Sequence, residues 1–225
     1  MKILQDVYER LFAAYGPQHW WPGDSPFEVI VGAMLTQNTS WKNVERAIDN
    51  LKQADVLDAT RMHEMPTEEL AELIRPAGYY RIKTARLKNL LALIANLHDG
   101  RVENLLATNK TELREQLLAV NGIGPETADA IVLYASQQPI FVVDTYTTRV
   151  LTRHGWINAE ADYHQIQEYF HLELPENVDL FNEYHALLVK VGKQHCGRKP
   201  ECEECPLCEL LPSGGPLLPE ANNPS

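Results

Sequence analysis

The sequence lacks any long apolar segment, and no run approaches the roughly 20 consecutive residues that a membrane-spanning helix needs. Its first residues, MKILQDVYERL, place acids inside an amphipathic pattern, which is unlike a secretory signal peptide. Among the 225 residues, 44% are hydrophobic and 23% are charged, as in ordinary soluble proteins. We therefore expect a cytoplasmic protein with no membrane partner.

Positive charge is also scarce, because 20 Lys and Arg face 31 Asp and Glu, giving a net charge of −11. Whole-chain acidity argues mildly against a nucleic-acid partner. The acids concentrate at 54–74 and 158–179, however, and the basic residues form two local clusters. These are Arg75, Arg81, Lys83, Arg86 and Lys88, and Lys190, Lys193, Arg198 and Lys199. Each cluster is either a solvated helix face or a patch for a polyanion.

The strand pattern is missing as well, since alternation of apolar and polar residues is nowhere sustained and there is no internal repeat. Apolar residues recur at helical spacing, and residues 26–36 are nearly all apolar, which predicts a helix buried on every side. The predicted fold class is all-α, with roughly ten helices. Residues 212–225 are rich in Pro, Gly, Ser and Asn and are predicted to be a disordered tail.

A glycine turn between two apolar helices lies in the stretch EQLLAVNGIGPETADAIVLY at 115–134. Gly122 and Gly124 leave backbone amides uncovered, and Pro125 suits the first position of the second helix. Amides exposed at a helix N-terminus can bind a phosphate. The alternative is an ordinary corner between two helices.

Four cysteines fall within thirteen residues near the end of the chain, at Cys196, Cys202, Cys205 and Cys208. In a cytoplasmic protein this density favours a metal over disulfides. The compact spacing is closer to iron–sulfur usage than to the paired knuckles of zinc sites.

Asp144 lies twenty residues after Gly124, in the segment FVVDTYTTRV. An aspartate before a helix is a good N-cap, and this alone would explain it. In combination, however, the V-N-G-I-G hairpin, the V-D-T element and the cysteine cluster resemble the endonuclease III superfamily of DNA repair glycosylases. The resemblance covers about residues 1–211.

The resemblance implies an organisation in two helical lobes with a DNA cleft between them. One lobe is a helical-barrel domain at 26–137 that contains the helix–hairpin–helix at 111–136. The other combines 1–25 with 138–211 and contains the cysteine loop at 196–208. The implied partner is double-stranded DNA with a damaged base, bound by a monomer associated with the nucleoid.

The resemblance also implies the chemistry. Asp144 matches the family's catalytic aspartate, which would stabilise the positive charge that develops on the sugar. Members that also nick DNA carry a lysine at the position of Glu126, and a carboxylate cannot form an imine. We therefore expect a monofunctional glycosylase. Glu126 is alternatively explained by the helix dipole alone.

A pocket for the extruded base is predicted at Trp20, Trp21, Pro22 and Trp41. Indole faces suit an alkylated base, which carries a positive charge, and these segments resemble the 3-methyladenine glycosylase branch. The alternative is that the tryptophans are core residues. Gln37 and Tyr79 occupy the family's wedge positions, where a side chain fills the hole left by the base, although Tyr79 could equally make a local apolar contact.

The other predicted DNA-contacting residues are Arg81, Lys83, Gly122, Gly124, Thr127, Arg198 and Lys199. The cysteines are expected to hold a [4Fe–4S] cluster that folds a basic loop against the DNA backbone. The first and last gaps between the cysteines, five and two residues, are shorter than in the family pattern. Zinc and ligation by three cysteines therefore stay open.

The predicted function is base-excision repair by hydrolysis of the N-glycosidic bond, with an alkylated purine such as 3-methyladenine as first choice. One alternative is a glycosylase with AP lyase activity on oxidised pyrimidines, which would recruit another amine such as Lys83 or Lys190. A second is a non-catalytic iron–sulfur module that binds DNA or senses redox state.

Overall fold

A computed structural model describes residues 3–218. Over that range the chain forms helices and loops, with no β-sheet and a single isolated bridge between Cys196 and Pro200. The predicted all-α class is confirmed. The α-helices are α1 (Ile3–Tyr15), α2 (Pro26–Leu35), α3 (Trp41–Gln53), α4 (Ala59–Glu64), α5 (Thr67–Leu73), α6 (Tyr80–Leu97), α7 (Val102–Leu106), α8 (Lys110–Leu118), α9 (Pro125–Ala130), α10 (Thr145–Arg153), α11 (Tyr163–Glu173) and α12 (Val178–Gln194).

Three shorter elements complete the helical framework. Arg75–Ala77 and Cys208–Leu210 are 3-10 turns, and Ile131–Ala135 continues α9 as a π-helical turn. The π-turn is fully buried, and such turns are frequent near functional sites. None of the helices described combines the length and apolar content needed to cross a bilayer.

The chain divides into two compact units. The first consists of Met1–Trp20 and Ile140–Ser225, and its long helix α12 packs against α1 and α10. Its core is aromatic, because the Phe141 and Phe170 rings stack with centroids 3.6 Å apart. Tyr184 is fully buried there, and its hydroxyl donates to the carbonyl oxygen of Leu4 at 2.8 Å, which ties α12 to α1.

The second unit, Trp21–Pro139, is built around α2. From Phe27 to Leu35 every residue of α2 is buried, as its apolar sequence predicts, and the helix contacts α3, α6 and the π-turn. The buried carboxylate of Glu28 is compensated by Lys52, whose Nζ lies 2.8 Å away. Helices α8 and α9 pack together and form the two arms of the glycine hairpin.

The predicted domain boundaries stay predictions, as does the cleft. Part of the predicted tail, 212–218, lies within the described range, and there the amide of Leu217 donates to the carbonyl oxygen of Arg153 at 2.8 Å. Residues 219–225 lie outside the described residues.

Candidate functional site

Asp144 caps the N-terminus of α10 in the first unit. Its Oδ1 accepts a hydrogen bond from the amide of Thr147 at 2.7 Å, so the predicted N-cap role is real. The side chain is only 11% exposed. The cap fixes one carboxylate oxygen and leaves the second oxygen, Oδ2, directed to another neighbour.

That neighbour is His185 on α12, whose Nε2 lies 3.7 Å from Oδ2 of Asp144. Burial alone would raise the pKa of Asp144, but the His185 imidazole and the Thr147 amide outweigh burial and hold the pKa below its ordinary value. The carboxylate is consequently ionised at neutral pH although it is largely removed from water. A charge of this kind can stabilise a cation that forms beside it.

Trp20 stacks on His185, the neighbour of Asp144. Its ring lies 5.7 Å from the His185 ring at an interplanar angle of 16°, which connects Trp20 to the surroundings of Asp144. The Nζ atom of Lys193 lies 5.9 Å from the Trp20 ring centroid and 5.9 Å from that of Tyr146. The first unit therefore combines an ionised carboxylate, an indole and a cation in one neighbourhood.

The glycine hairpin in the second unit has the predicted turn. Gly122 has φ +99°, and a Cβ atom there would lie 2.2 Å from Cγ of Arg86, so both conformation and space require glycine. Gly124 is exposed, has φ −98° and precedes Pro125 as the N-cap of α9. A Cβ at Gly124 would meet nothing within 4 Å, which leaves the backbone of this turn accessible.

Gln37, a predicted wedge residue, is bonded to this hairpin. Its Nε2 donates to Oγ1 of Thr127 at 3.0 Å and to the carbonyl oxygen of Gly122 at 3.4 Å, and its Oε1 accepts from Arg86. Thr127 is itself buried, at 7% exposure, so its hydroxyl holds Gln37 rather than facing outward. The loop after α2 and the hairpin thus form one hydrogen-bonded network.

Tyr79, the second predicted wedge residue, protrudes. It is 70% exposed and adopts φ +45° directly after Gly78, whose φ is +68°. A tyrosine in the left-handed region is uncommon and often marks a functional position. Arg81 is exposed beside it, and Ile82 is 55% exposed on the next part of the helix.

Lys83 differs from the other predicted DNA-contacting residues because it is buried, at 2% exposure. Its Nζ donates to the carbonyl oxygens of Leu35 at 2.8 Å and Ala77 at 2.7 Å. Burial, and secondarily the charge of Arg86, lower its pKa to about 8. The amine therefore contacts protein backbone in this structure.

The other tryptophans belong to the second unit. Trp21 lies edge-on to Trp41 at 5.3 Å and 5.1 Å from the ring of Tyr134, and Gly32 of α2 leaves the space for both indoles. Trp41 donates from Nε1 to Glu45 at 2.8 Å, and Pro22 is exposed. The four residues predicted to form one pocket thus fall in two units, Trp20 in the first and the other three in the second.

Glu126 is exposed in the first turn of α9, a position that favours an acid, and Arg198 and Lys199 are exposed in the cysteine loop. These locations agree with contact to solvent or to a partner, and their predicted roles in binding and catalysis stay predictions.

The four cysteines are free thiols that line one small cavity. Within residues 3–218, no group of three or more His, Cys, Asp or Glu side chains stands in metal-binding geometry. Burial raises the pKa of Cys202 and Cys205, and repulsion from the neighbouring thiols adds to it. Arg153 donates from Nη1 to Sγ of Cys196 at 3.2 Å and to the carbonyl oxygen of Gly197 at 2.7 Å. Four thiols that line one cavity, with a cation beside them, supply the ligand type of thiolate-ligated clusters, although their present arrangement is not that of a metal site.

Sequence reasoning missed His185 and Arg153, and it placed Arg86 only in a basic cluster. His185 lies forty-one residues after Asp144, and no local pattern joins the two. The available signal was a histidine among the apolar residues of the segment that forms α12.

Comparison with known proteins gives a consistent result. The HhH-GPD superfamily of base excision DNA repair proteins matches residues 31–176. The Methanocaldococcus jannaschii protein MJ1434, named provisionally as a DNA repair glycosylase, is 46% identical over 211 residues, which are 93% of this chain and 96% of that protein.

Two solved structures are similar over most of their length. H. pylori 3-methyladenine DNA glycosylase (MagIII), bound to 1,N6-ethenoadenine, has a TM-score of 0.73 and 30% identity over 85% of this chain and 96% of its own. A non-covalent endonuclease III–DNA complex has a TM-score of 0.80, 23% identity, and coverage of 93% and 94%, and at that identity it shows the shared fold.

Proposed function

The chain belongs to the HhH-GPD superfamily of base excision DNA repair proteins, and from this premise we propose that it is a monofunctional DNA glycosylase. In this proposal it binds double-stranded DNA as a monomer and hydrolyses the N-glycosidic bond of a damaged base that has been turned out of the helix. An alkylated purine such as 3-methyladenine is the first-choice substrate.

The environment of Asp144 carries the proposal. Its carboxylate is fixed by the Thr147 amide, faces His185, and has a pKa below its ordinary value although its side chain is 11% exposed. As the base departs, positive charge develops on the sugar, and a fixed carboxylate in a low-dielectric site stabilises that charge strongly. The same carboxylate can orient a water molecule for attack on the anomeric carbon.

The tryptophans favour a substrate with a large, flat base. Stacking on an indole suits a purine, and MagIII, 30% identical, was solved with 1,N6-ethenoadenine. Near Trp20, however, the Lys193 ammonium opposes the attraction that its ring would exert on a cationic base. We infer that stacking area contributes more than charge at Trp20, so neutral etheno and charged methyl purines both belong in the substrate panel.

The absence of lyase chemistry is supported by where the amines lie. Glu126 occupies the position at which nicking relatives are expected to carry lysine, and a carboxylate forms no Schiff base. Lys83 has the lowered pKa of an amine nucleophile, about 8, but it is 2% exposed and bonded to two carbonyls. These contacts do not favour the bifunctional alternative.

In this proposal, Tyr79 is the first side chain to insert into the DNA duplex. This side chain is 70% exposed and needs no release before it enters a duplex. Gln37 must first give up its hydrogen bonds to Thr127 and Arg86, so in this proposal it follows, once the hairpin amides at Gly122 and Gly124 have bound a phosphate.

The cysteines are proposed to hold a [4Fe–4S] cluster, which when bound would supply structural support and carry no hydrolytic step. Arg153 would neutralise part of the thiolate charge and tie the loop to α10. Quantification of iron, acid-labile sulfide and zinc in the purified protein tests this assignment. Iron with equivalent sulfide supports it, and stoichiometric zinc without sulfide contradicts it.

The function is tested by base release from a panel of duplexes that carry alkylated, etheno or oxidised bases, followed by borohydride trapping. The proposal predicts release of an alkylated or etheno purine with no covalent adduct. A trapped adduct would contradict the monofunctional mechanism. Salt-sensitive binding without release of any base, and indifferent to Asp144→Asn, would point instead to the non-catalytic module.

A further inference from the structure

The buried ammonium group of Lys83 lies between the first residues of two loops in the second unit. Nζ of Lys83 donates to the carbonyl oxygen of Leu35, the last residue of α2, and to that of Ala77, the last residue of the turn Arg75–Ala77. Both oxygens belong to the ends of helical elements, where backbone carbonyls lack a partner within the element. A single side chain therefore joins the ends of two elements that are distant in sequence.

Each of these carbonyls stands just before a proposed inserting residue. Gln37 follows Leu35 by two positions, and Tyr79 follows Ala77 by two positions. Both loops continue in the left-handed region, with φ +52° at Asn38 and φ +45° at Tyr79. Ordinary side chains hold this conformation only where their surroundings enforce it, so an anchor at the start of each loop matters.

A lysine is suited to this task for physical reasons. Its head group is compact, carries three N–H donors and is attracted to the negative end of a helix. Arg86, three positions later on α6, bonds Gln37 and packs over Gly122, so successive cations of one helix organise the loops and the hairpin. The pKa of about 8 leaves most Lys83 side chains protonated at neutral pH.

We propose that Lys83 is a positioning residue for the insertion of side chains into the DNA duplex. It fixes the starts of the loops that carry Gln37 and Tyr79, so that both side chains enter the duplex together. This role replaces the DNA contact expected from the sequence and the amine nucleophile of the bifunctional alternative. The inference rests on the proposed function, because insertion into DNA has meaning only for a protein that extrudes a base.

The experiment compares Lys83→Met with Lys88→Met. Lys88 is a matched control, since it lies on the same helix and its Nζ likewise bonds backbone carbonyls, those of Met62, His63 and Met65. These carbonyls belong to α4 and the loop after it, which carry no proposed inserting residue. The probe is a duplex with a tetrahydrofuran abasic-site analogue opposite 2-aminopurine, whose fluorescence rises when it is unstacked, and it requires no excision.

At saturating protein, followed by anisotropy, we expect equal fluorescence enhancement for the wild type and Lys88→Met, and loss of most of it for Lys83→Met. In a Gln37→Ala/Tyr79→Ala background, Lys83→Met should cause no further loss. Lys83→Gln, whose amide retains two N–H donors, should give an intermediate value and serves if Lys83→Met does not fold.

Enhancement by folded Lys83→Met or Lys83→Gln equal to that of the wild type would overturn the inference, as would an additional loss in the Gln37→Ala/Tyr79→Ala background. Failure of the proposed function looks different, because the wild type itself would bind the duplex without enhancement, and both proposals would then fall.

Discussion

Asp144 and Lys83 are both charged side chains that the fold takes largely out of water, but their environments differ. Burial pushes the pKa of Asp144 upward, and His185 with the Thr147 amide reverses that effect. Burial pushes the pKa of Lys83 down to about 8, and the like charge of Arg86 adds to the shift. The carbonyls bonded to Lys83 are neutral and supply no negative charge that would oppose it. The Asp144 side chain is 11% exposed, whereas Lys83 as a whole residue is 2% exposed.

In the proposed function, Asp144 is a reactive charge and Lys83 is a structural one. A carboxylate beside an imidazole keeps its charge, and the Asp144 side chain is not fully enclosed. An ammonium occupied by two carbonyls holds backbone in place and offers no lone pair for nucleophilic attack. Burial and a perturbed pKa alone would have marked both groups as catalytic candidates.

The largest expected effect comes from Asp144→Asn. Asparagine is an equally good N-cap, so the fold should be retained, but the charge beside the anomeric carbon is lost. We expect base release to slow by about 10²–10³-fold under single-turnover conditions, which is typical for removal of one electrostatic contact to a transition state.

The roles of Asp144 and Lys83 can be separated further by placing the lesion in single-stranded DNA, where no base needs to be unstacked. Lys83→Met should then approach the wild-type rate, while Asp144→Asn stays slow. Equal defects of the two variants on this substrate would contradict the separation of roles.

Gly122→Ala and Gly124→Ala probe the hairpin at two alternate positions. The first requires φ +99° and brings Cβ to 2.2 Å from Arg86, so we expect a loss of about 1–3 kcal/mol in the free energy of unfolding. The second has φ −98° and free space, so stability should change by less than about 0.5 kcal/mol. Its methyl group would nevertheless hinder phosphate binding and weaken affinity for DNA.

Denaturant unfolding and DNA titration measure these two quantities independently. A Gly124→Ala protein with unchanged affinity for abasic-site DNA would show that the hairpin amides do not contact a phosphate.

The third effect concerns pH. Because His185 helps to hold the pKa of Asp144 below its ordinary value, His185→Leu lets burial prevail and the pKa rises. As the pH is lowered, the carboxylate is then protonated earlier, so the acidic limb of the rate profile moves to higher pH, and below the pKa the rate falls roughly tenfold per pH unit. His185→Gln, which keeps a hydrogen-bond donor, should move the limb less. An unchanged acidic limb in single-turnover profiles would exclude His185 from this role.

The smallest expected effect is the difference in the free energy of unfolding between Lys83→Met and Lys88→Met. Lys83→Met leaves two buried carbonyls without their donor, at a cost of about 1–3 kcal/mol, and Lys88→Met leaves three carbonyls that are partly buried or exposed, at a cost no greater than that. Similar stabilities with unlike behaviour toward DNA would assign the defect of Lys83→Met to its position. A much less stable Lys83→Met, with a DNA defect that disappears when the protein is stabilised, would favour a purely structural role.

The parts of the site that the sequence predicts are local in the chain. The turn at Gly122, the start of α9 at Pro125 and the cap at Asp144 each depend on residues within a few positions, so turn and cap chemistry suffice. Helix α2 was predictable because nine consecutive buried residues are apolar with few exceptions.

The parts that the sequence does not predict depend on distant partners. Lys83 looks like one more surface cation until Leu35 and Ala77 come within hydrogen-bond distance, and the pairing of His185 with Asp144 is equally remote. The short helices α4 and α7 were not predicted, because their six and five residues are too few to show a helical periodicity. The π-turn after α9 has no simple sequence signature.

The most direct test of the account is a structure of the protein with a duplex that carries a cationic pyrrolidine analogue of the reacting sugar. We predict a carboxylate oxygen of Asp144 about 3–3.5 Å from the ring nitrogen, with the hairpin amides on a neighbouring phosphate. An Asp144 side chain turned away from the extruded sugar, with another group beside the charged nitrogen, would contradict the account.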